Sequence, residues 1–335
     1  MTADQAAPAA IEASGLRRTF GDVVAVDGVD LEVPTGAVLG LLGPDGAGKS
    51  TLIRMLATVL RPDAGDAHVQ GFSVTRQPGK VTPRIGYMSQ KFALYPDLSV
   101  AENIEFFARL RGVPAAERKE RSRALLTGMG LADFLDRQAG RLSGGMKQKL
   151  FLATTLMHRP EVLLLDEPTT GVDPVSRREF WRILADLRGA DRHGAGTTVL
   201  VATPYMDEAE RCTDVIFLDG GRVRHHGSPA EIKALVPGRL FELRAAEPRT
   251  ALGAVETVPG VLAAHLYGDI VRVLADTGDA AEVEARLAAA GVLGRVRAVA
   301  VDMETAFAVL AELNRAGSNR AESNRAEPNR ERTAP

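Results

Sequence analysis

Gly43-Pro44-Asp45-Gly46-Ala47-Gly48-Lys49-Ser50-Thr51 is the stretch on which the fold turns. It follows an apolar run, Val38–Leu42, and precedes a helical pattern expected over Leu52–Leu60. The stretch fits G-x-x-x-x-G-K-[ST] in a strand–loop–helix context. Glycines let the backbone curl until its N–H groups point inward, and the following helix N-terminus adds positive dipole character. Such a cradle takes a chain of phosphates, with Lys49 reaching the β- and γ-phosphates and Ser50 on Mg²⁺. The bland alternative is a glycine-rich turn that binds nothing, and the Lys-Ser pair in this setting argues against it.

Two further segments give the loop its meaning. Val162-Leu163-Leu164-Leu165-Asp166-Glu167-Pro168 is an apolar strand ending in two acids. A strand tip beside a phosphate loop is where an α/β sheet presents side chains to ligand. There Asp166 suits a Mg²⁺ shell, and Glu167 suits a general base or a group orienting the attacking water. Between loop and acids lies Leu142-Ser143-Gly144-Gly145-Met146, read as a helix start. Alone, that segment is a weak signal.

Around these motifs, residues 11–235 read as one α/β unit in which short apolar runs alternate with helical patterns. Buried strands are expected at Val38–Leu42, Ile85–Met88, Val162–Leu165, Val199–Ala202 and Val215–Leu218. Helices are expected at Ala101–Leu110, Arg118–Met129, Met146–His158 and Arg177–Leu187. Antiparallel β is expected near Ile11–Leu16, Val23–Val26 and Leu31–Val33, and a helical insertion from Val100 to Met157. Val236-Pro237-Gly238 marks a boundary, after which a βαββαβ order and a last helix suggest a ferredoxin-like accessory module over 236–313. Gly268-Asp269 reads as its hairpin turn. Residues 1–10 are expected to be a flexible N-terminus. The segment 314–335 repeats Asn-Arg with period five, has no apolar face, and reads as a disordered polar tail.

Composition limits the alternatives. The chain has 335 residues, 45% apolar and 25% charged, with a net charge of -2, so no global basic field points to nucleic acid as a partner. Cys212 is the only cysteine, which excludes an intrachain disulfide. No apolar run reaches membrane-spanning length, and the N-terminus lacks the pattern of a secretory signal. His225-His226 would point to opposite faces of a strand, so exposed histidines are expected rather than a metal pair. Phe180 and Trp181 are expected in the core.

Phosphate loop, LSGG segment and LLLDEP strand, in this order and with these separations, closely resemble the ABC ATPase family over 11–235. The resemblance implies a P-loop α/β fold with a RecA-like parallel sheet, an antiparallel β subdomain and a helical subdomain, plus the small α+β C-terminal module. It implies ATP and Mg²⁺ as ligands. Gly43 through Thr51, including Pro44, Asp45, Gly46, Ala47 and Gly48, would contact nucleotide, and Phe20 would stack on adenine. Gln90, ending the Tyr87–Gln90 strand, would sense γ-phosphate and Mg²⁺. Ser143, Gly144, Gly145 and Asp173 would meet the nucleotide of a second copy in a head-to-tail homodimer. The insertion after Gln90 would contact a separate membrane-spanning permease, putting the chain on the cytoplasmic face of the cell membrane. Residues 90–103 and 301–304 resemble the daunorubicin/doxorubicin-resistance branch, which implies drug export.

Two positions depart from the family pattern. Asp45 stands where Asn is usual, bringing a carboxylate near phosphates. Pro204, in Thr203-Pro204-Tyr205-Met206-Asp207-Glu208-Ala209, stands where a γ-phosphate-contacting histidine is usual, and proline has neither a side-chain donor nor an N–H. The chain is therefore expected to be a working ATPase, at full or reduced rate, with a nucleotide-gated clamp of very weak hydrolysis as the alternative. A soluble, non-transport ABC ATPase is a third reading, disfavoured by the single phosphate loop and near-neutral charge.

Overall fold

The computed structural model describes residues 9–189, 196–276 and 278–313. The expectations for Met1–Pro8 and for the tail 314–335 lie outside the described residues. The chain divides into two units, Met1–Ser228 and Pro229–Pro335. The division precedes the helix Pro229–Ala234, whereas the Val236-Pro237-Gly238 boundary expected from sequence follows it.

The first unit contains β1 (Ala9–Phe20), β2 (Val23–Pro34), β3 (Val38–Leu42), β4 (Ala64–Val69), β5 (Phe72–Ser73), β6 (Ile85–Met88), β7 (Val162–Asp166), β8 (Thr198–Ala202), β9 (Asp214–Asp219) and β10 (Arg222–Gly227). They form two sheets. One runs β10-β9-β3-β8-β7-β6, parallel except for the antiparallel edge strand β10. The strands β3, β7 and β8 are buried along their whole length, as a sheet covered on both faces requires, and apart from Thr198 and Asp166 at strand ends they carry no polar side chain. The other sheet, β2-β1-β4-β5, is antiparallel.

Helix Lys49–Leu56 packs between the sheets through Leu52, Ile53, Met55 and Leu56, all fully buried in one core with β3, β7 and β1 side chains. Each such side chain contributes about 1.5–3 kcal/mol, an upper figure because the unfolded chain already buries some surface. That helix was expected to reach Leu60. It stops at Leu56 because Thr58 takes the left-handed region, φ +61°. The two short strands expected at Val23–Val26 and Leu31–Val33 are one strand, kept continuous across Gly28 at φ +67°.

Among the described residues no strand lies between Val100 and Met157. This segment holds helices Val100–Leu110, Ala115–Gly128 and Gly144–Leu156. The first opens with a reciprocal capping box: Ser99 accepts from the Glu102 N–H, and Glu102 accepts from the Ser99 N–H.

The second unit has β11 (Arg239–Ala245), β12 (Val261–Tyr267), β13 (Ile270–Ala275) and β14 (Gly294–Val299) in the order β12-β13-β11-β14, every neighbouring pair antiparallel. Helices Pro248–Val255 and Ala280–Ala289 share a core with one sheet face. This βαββαβ order is that of a ferredoxin-like sheet. Residues 303–313 form a further helix. Gly268-Asp269 makes the two-residue turn between β12 and β13, with Gly268 at φ +60°.

Candidate nucleotide and metal site

The phosphate loop leaves the C-terminal end of β3, between β8 and β9, where an open α/β sheet forms its ligand crevice. Its curvature needs glycine at two positions. Gly43 has φ +151° and Gly48 φ +103°; a Cβ would lie 2.1 Å from the Leu218 carbonyl oxygen and 2.2 Å from that of Ala25. The helix that follows has no side-chain cap and no acid in its first turn, so its positive end is not neutralised by the chain itself. Lys49 is buried, and its ammonium donates to the carbonyl oxygens of Gly43 (2.8 Å) and Pro44 (3.0 Å). Asp45 is exposed at the loop's outer edge and makes no hydrogen bond or ion pair among the described residues.

Ser50 starts the helix beside the tip of β7 and donates its hydroxyl to Asp166 Oδ1 at 2.7 Å. Asp166 is fully buried, and its Oδ2 has no partner. Burial pushes its carboxyl above the ordinary range, against the opposing pull of the Ser50 hydroxyl, Arg54 and Lys49. A buried carboxylate with an unspent oxygen, beside a hydroxyl, is the donor set a hard cation such as Mg²⁺ takes. The residues fit that ion, and the glycine cradle with Lys49 fits a polyphosphate.

The next residue, Glu167, sits in the left-handed region at φ +50°, a strain of about 1–3 kcal/mol for a residue with a Cβ. Its N–H donates to the Ala202 carbonyl at 3.0 Å, which holds the conformation. Its Oε2 accepts from Gln90 Nε2 at 3.0 Å and from Thr170 Oγ1 at 3.2 Å. Gln90 therefore meets the acidic tip, and it does so from beyond the strand expected to carry it, because β6 ends at Met88. The reason is the parallel β6–β7 pairing, which sends both chain ends out on the same side.

Ser143, Gly144, Gly145 and Asp173 form a second group. Ser143 caps helix Gly144–Leu156, accepting from the Met146 N–H at 3.3 Å. Asp173 caps helix Pro174–Gly189 through the N–H groups of Val175 and Ser176, and those Ser176 hydrogen bonds hold its carboxyl below the usual range. The two helix starts touch: a Cβ on Gly145 would lie 2.3 Å from Ser176 Oγ. No hydrogen bond among the described residues joins Ser143 or Asp173 to the phosphate loop of the same chain.

Phe20 is 46% exposed at the end of β1, with the Arg18 guanidinium 4.9 Å from its ring centre. Pro204 is exposed just beyond β8. Phe180 and Trp181 are buried. His225 and His226 lie on β10, and no cluster of three or more His, Cys, Asp or Glu occurs among the described residues.

Sequence reasoning missed Thr170, and it missed Glu208 with Thr169 and Thr203. Glu208 is buried and accepts from Thr169 Oγ1 (2.7 Å) and Thr203 Oγ1 (2.6 Å). Thr169 and Thr170 follow Glu167 directly and were legible only as small polar residues. Glu208 sits in an acidic pair, Asp207-Glu208, and nothing in the sequence says which of the two faces inward.

Residues 26–170 match the family model described as ABC transporter. The chain is 43% identical over 270 residues to the probable multidrug ABC transporter ATP-binding protein YbhF of Escherichia coli, covering 79% of this chain and 46% of YbhF, so it spans under half of that relative's length. It is 42% identical over 261 residues to the daunorubicin/doxorubicin resistance ATP-binding protein DrrA of Streptomyces peucetius, covering 78% of each. Among solved structures, cbiO1 of the Clostridium perfringens ABC transporter complex cbiONQ is similar at 28% identity and TM-score 0.61, over 68% of this chain and 91% of that one. With the cradle, the cation-type donor pair and the strained glutamate arranged as described, the chain belongs to the ABC transporter ATP-binding proteins.

Proposed function

We propose that the chain is the ATP-hydrolysing motor subunit of an exporter of drug-like or other hydrophobic compounds. It would work as a head-to-tail pair on the cytoplasmic face of the membrane with a separate permease. The observation that carries this reading is the acidic tip: Asp166, which accepts from Ser50 through Oδ1 and leaves Oδ2 unspent, and Glu167, held by Gln90 at 3.0 Å, both at the end of the strand facing the phosphate loop.

In this reading the loop N–H groups and Lys49 grip the β- and γ-phosphates. Lys49 has three donors and gives two to Gly43 and Pro44, so one is available in its present position. Ser50 and Asp166 would hold Mg²⁺, which would supply positive charge against that developing on the phosphates. Glu167 takes the proton of the attacking water as the oxygen bonds to the γ-phosphorus and the bond to the ADP oxygen breaks. Phe20 offers an open aromatic face for adenine.

Ser143 keeps its own O–H to donate, because as a cap its oxygen accepts from Met146. With the helix dipole behind it, it suits the γ-phosphate held by a second copy. A permease contact is supported by Phe92, Tyr95 and Phe106, 43%, 47% and 37% exposed in and beside the helical segment after Gln90. Tyr95 and Phe106 pack edge to face at 4.8 Å, leaving an aromatic surface for an apolar partner. No helix of the described residues is long and apolar enough to cross a membrane. The export of hydrophobic cargo rests on likeness to the DrrA proteins.

One observation favours a second reading, a nucleotide-gated clamp: exposed Pro204 leaves the segment after β8 without a donor for the γ-phosphate at that position. Steady-state MgATP hydrolysis by the assembled transporter separates the two. A motor loses about 10²–10⁴-fold in turnover on Glu167→Gln while keeping ATP affinity. Equal rates for wild type and variant overturn the motor in favour of the clamp.

A further inference from the structure

We propose that Glu208 is a positioning residue for ATP hydrolysis: its buried carboxylate ties the segment carrying Glu167 to the segment carrying Pro204. The proposal rests on the hydrolytic reading above. Glu208 is 1% exposed, a depth at which a carboxylate is rare unless paired. Among the described residues no Lys, Arg or His forms an ion pair with it. Instead each oxygen takes one threonine hydroxyl. Oε1 accepts from Thr169 at 2.7 Å and Oε2 from Thr203 at 2.6 Å, short distances typical of hydrogen bonds to a charged acceptor. Both threonines are themselves buried.

The two threonines stand on different loops. Thr169 follows Glu167 and Pro168, and Thr203 precedes Pro204. These loops leave the neighbouring parallel strands β7 and β8, which pair Asp166 opposite Ala202. The Thr203 hydroxyl also accepts from the Tyr205 N–H at 3.1 Å, so one side chain fixes the backbone across Pro204. Tyr205 in turn lies under the Arg177 guanidinium, 4.2 Å from ring centre to charge.

For stability alone this is a poor arrangement. A buried charge without a cation is costly, and an apolar residue of similar volume would join the loops with less desolvation. What the carboxylate adds is geometry, because two short bonds from one rigid group fix the separation of the two loops. Glu208 is not among the residues proposed to touch ATP, and Lys49 and the glycine loop hold nucleotide without it. The expected effect is therefore on turnover and not on binding.

The test uses the full-length chain, with its permease for kinetics and alone for hydrogen exchange. Glu208→Ala is expected to lower kcat by about 10–100-fold with KM for ATP within about twofold, the signature of misplacing groups that act in the transition state. Amide exchange should rise together in residues 167–171 and 202–206 and stay unchanged in 49–56. Glu208→Gln should recover most of the activity, since its amide accepts from one hydroxyl and donates to the other. Thr169→Val and Thr203→Val should be non-additive in kcat, being coupled through one carboxylate. Unchanged kcat, parallel loss of kcat and ATP affinity, exchange rising throughout the unit, or additive threonine effects would each overturn the proposal. Should Glu208→Ala fail to fold, the Gln and Val variants decide it. A wild type no faster than Glu167→Gln defeats the hydrolytic reading itself, while the paired exchange pattern still reports on the tie.

Discussion

Substituting Gly145 by Ala tests how helix Gly144–Leu156 is seated. The added Cβ would lie 2.3 Å from Ser176 Oγ and 2.6 Å from Ser176 Cβ, against ordinary contacts of about 3.4–4 Å. Rotating the Ser176 hydroxyl relieves the first clash and not the second, so the two helix starts must separate by about 1 Å. Overpacking of this kind costs roughly 1–3 kcal/mol. For a unit of this size each kcal/mol lowers Tm by about 2–4 °C, giving a fall of roughly 2–12 °C. Trp181 is the only tryptophan, it is buried, and it lies on the same helix as Ser176, so intrinsic fluorescence reads the melting of this contact directly. Adding Ser176→Gly removes both clashing atoms and should return most of the lost Tm. The Asp173 cap survives in the double variant because it uses the backbone N–H groups of residues 175 and 176. If Gly145→Ala melts with wild type, or if the two substitutions are simply additive, the packing of these helix starts is not as described. The same pair read by size-exclusion chromatography with MgATP in a Glu167→Gln background should lose and then regain the ATP-held dimer.

Asp45→Asn removes an exposed carboxylate beside the proposed phosphate site and should tighten ATP binding by about 1 kcal/mol or less at low ionic strength, the gain shrinking as salt is added; binding that is unchanged at every salt concentration would contradict this. Pro204→His should leave nucleotide affinity intact and not lower turnover; a collapse of binding would reveal a structural need for proline. Burial pushes the Cys212 thiol up to about 12, so it should resist maleimide labelling at pH 8 in the native chain and label quickly in denaturant. Between pH 9 and about 12 the unfolded thiol ionises while the folded one does not, so this group's contribution to stability is lost as pH rises through that window, readable by urea titration. Ser99→Ala removes the cap of helix Val100–Leu110 and should cost about 1 kcal/mol by urea unfolding.

The sequence alone determined the phosphate loop, the acidic strand tip and the helix start at Ser143, because each is built from adjacent residues. A glycine that must take φ +103° is written at the position that needs it, and a five-residue run bounded by a glycine-rich loop is strand-length and too short for a helix. Three-dimensional packing decided the rest. Ser50 and Asp166 are 116 residues apart and Gln90 and Glu167 are 77 apart, and each pair meets only because of strand order and parallel register. Strands β4 and β5 escaped notice because β4 is broken by small and polar residues and β5 holds only two residues. Which member of Asp207-Glu208 turns inward depends on two threonine hydroxyls on separate loops, a non-local fact that local propensity does not encode.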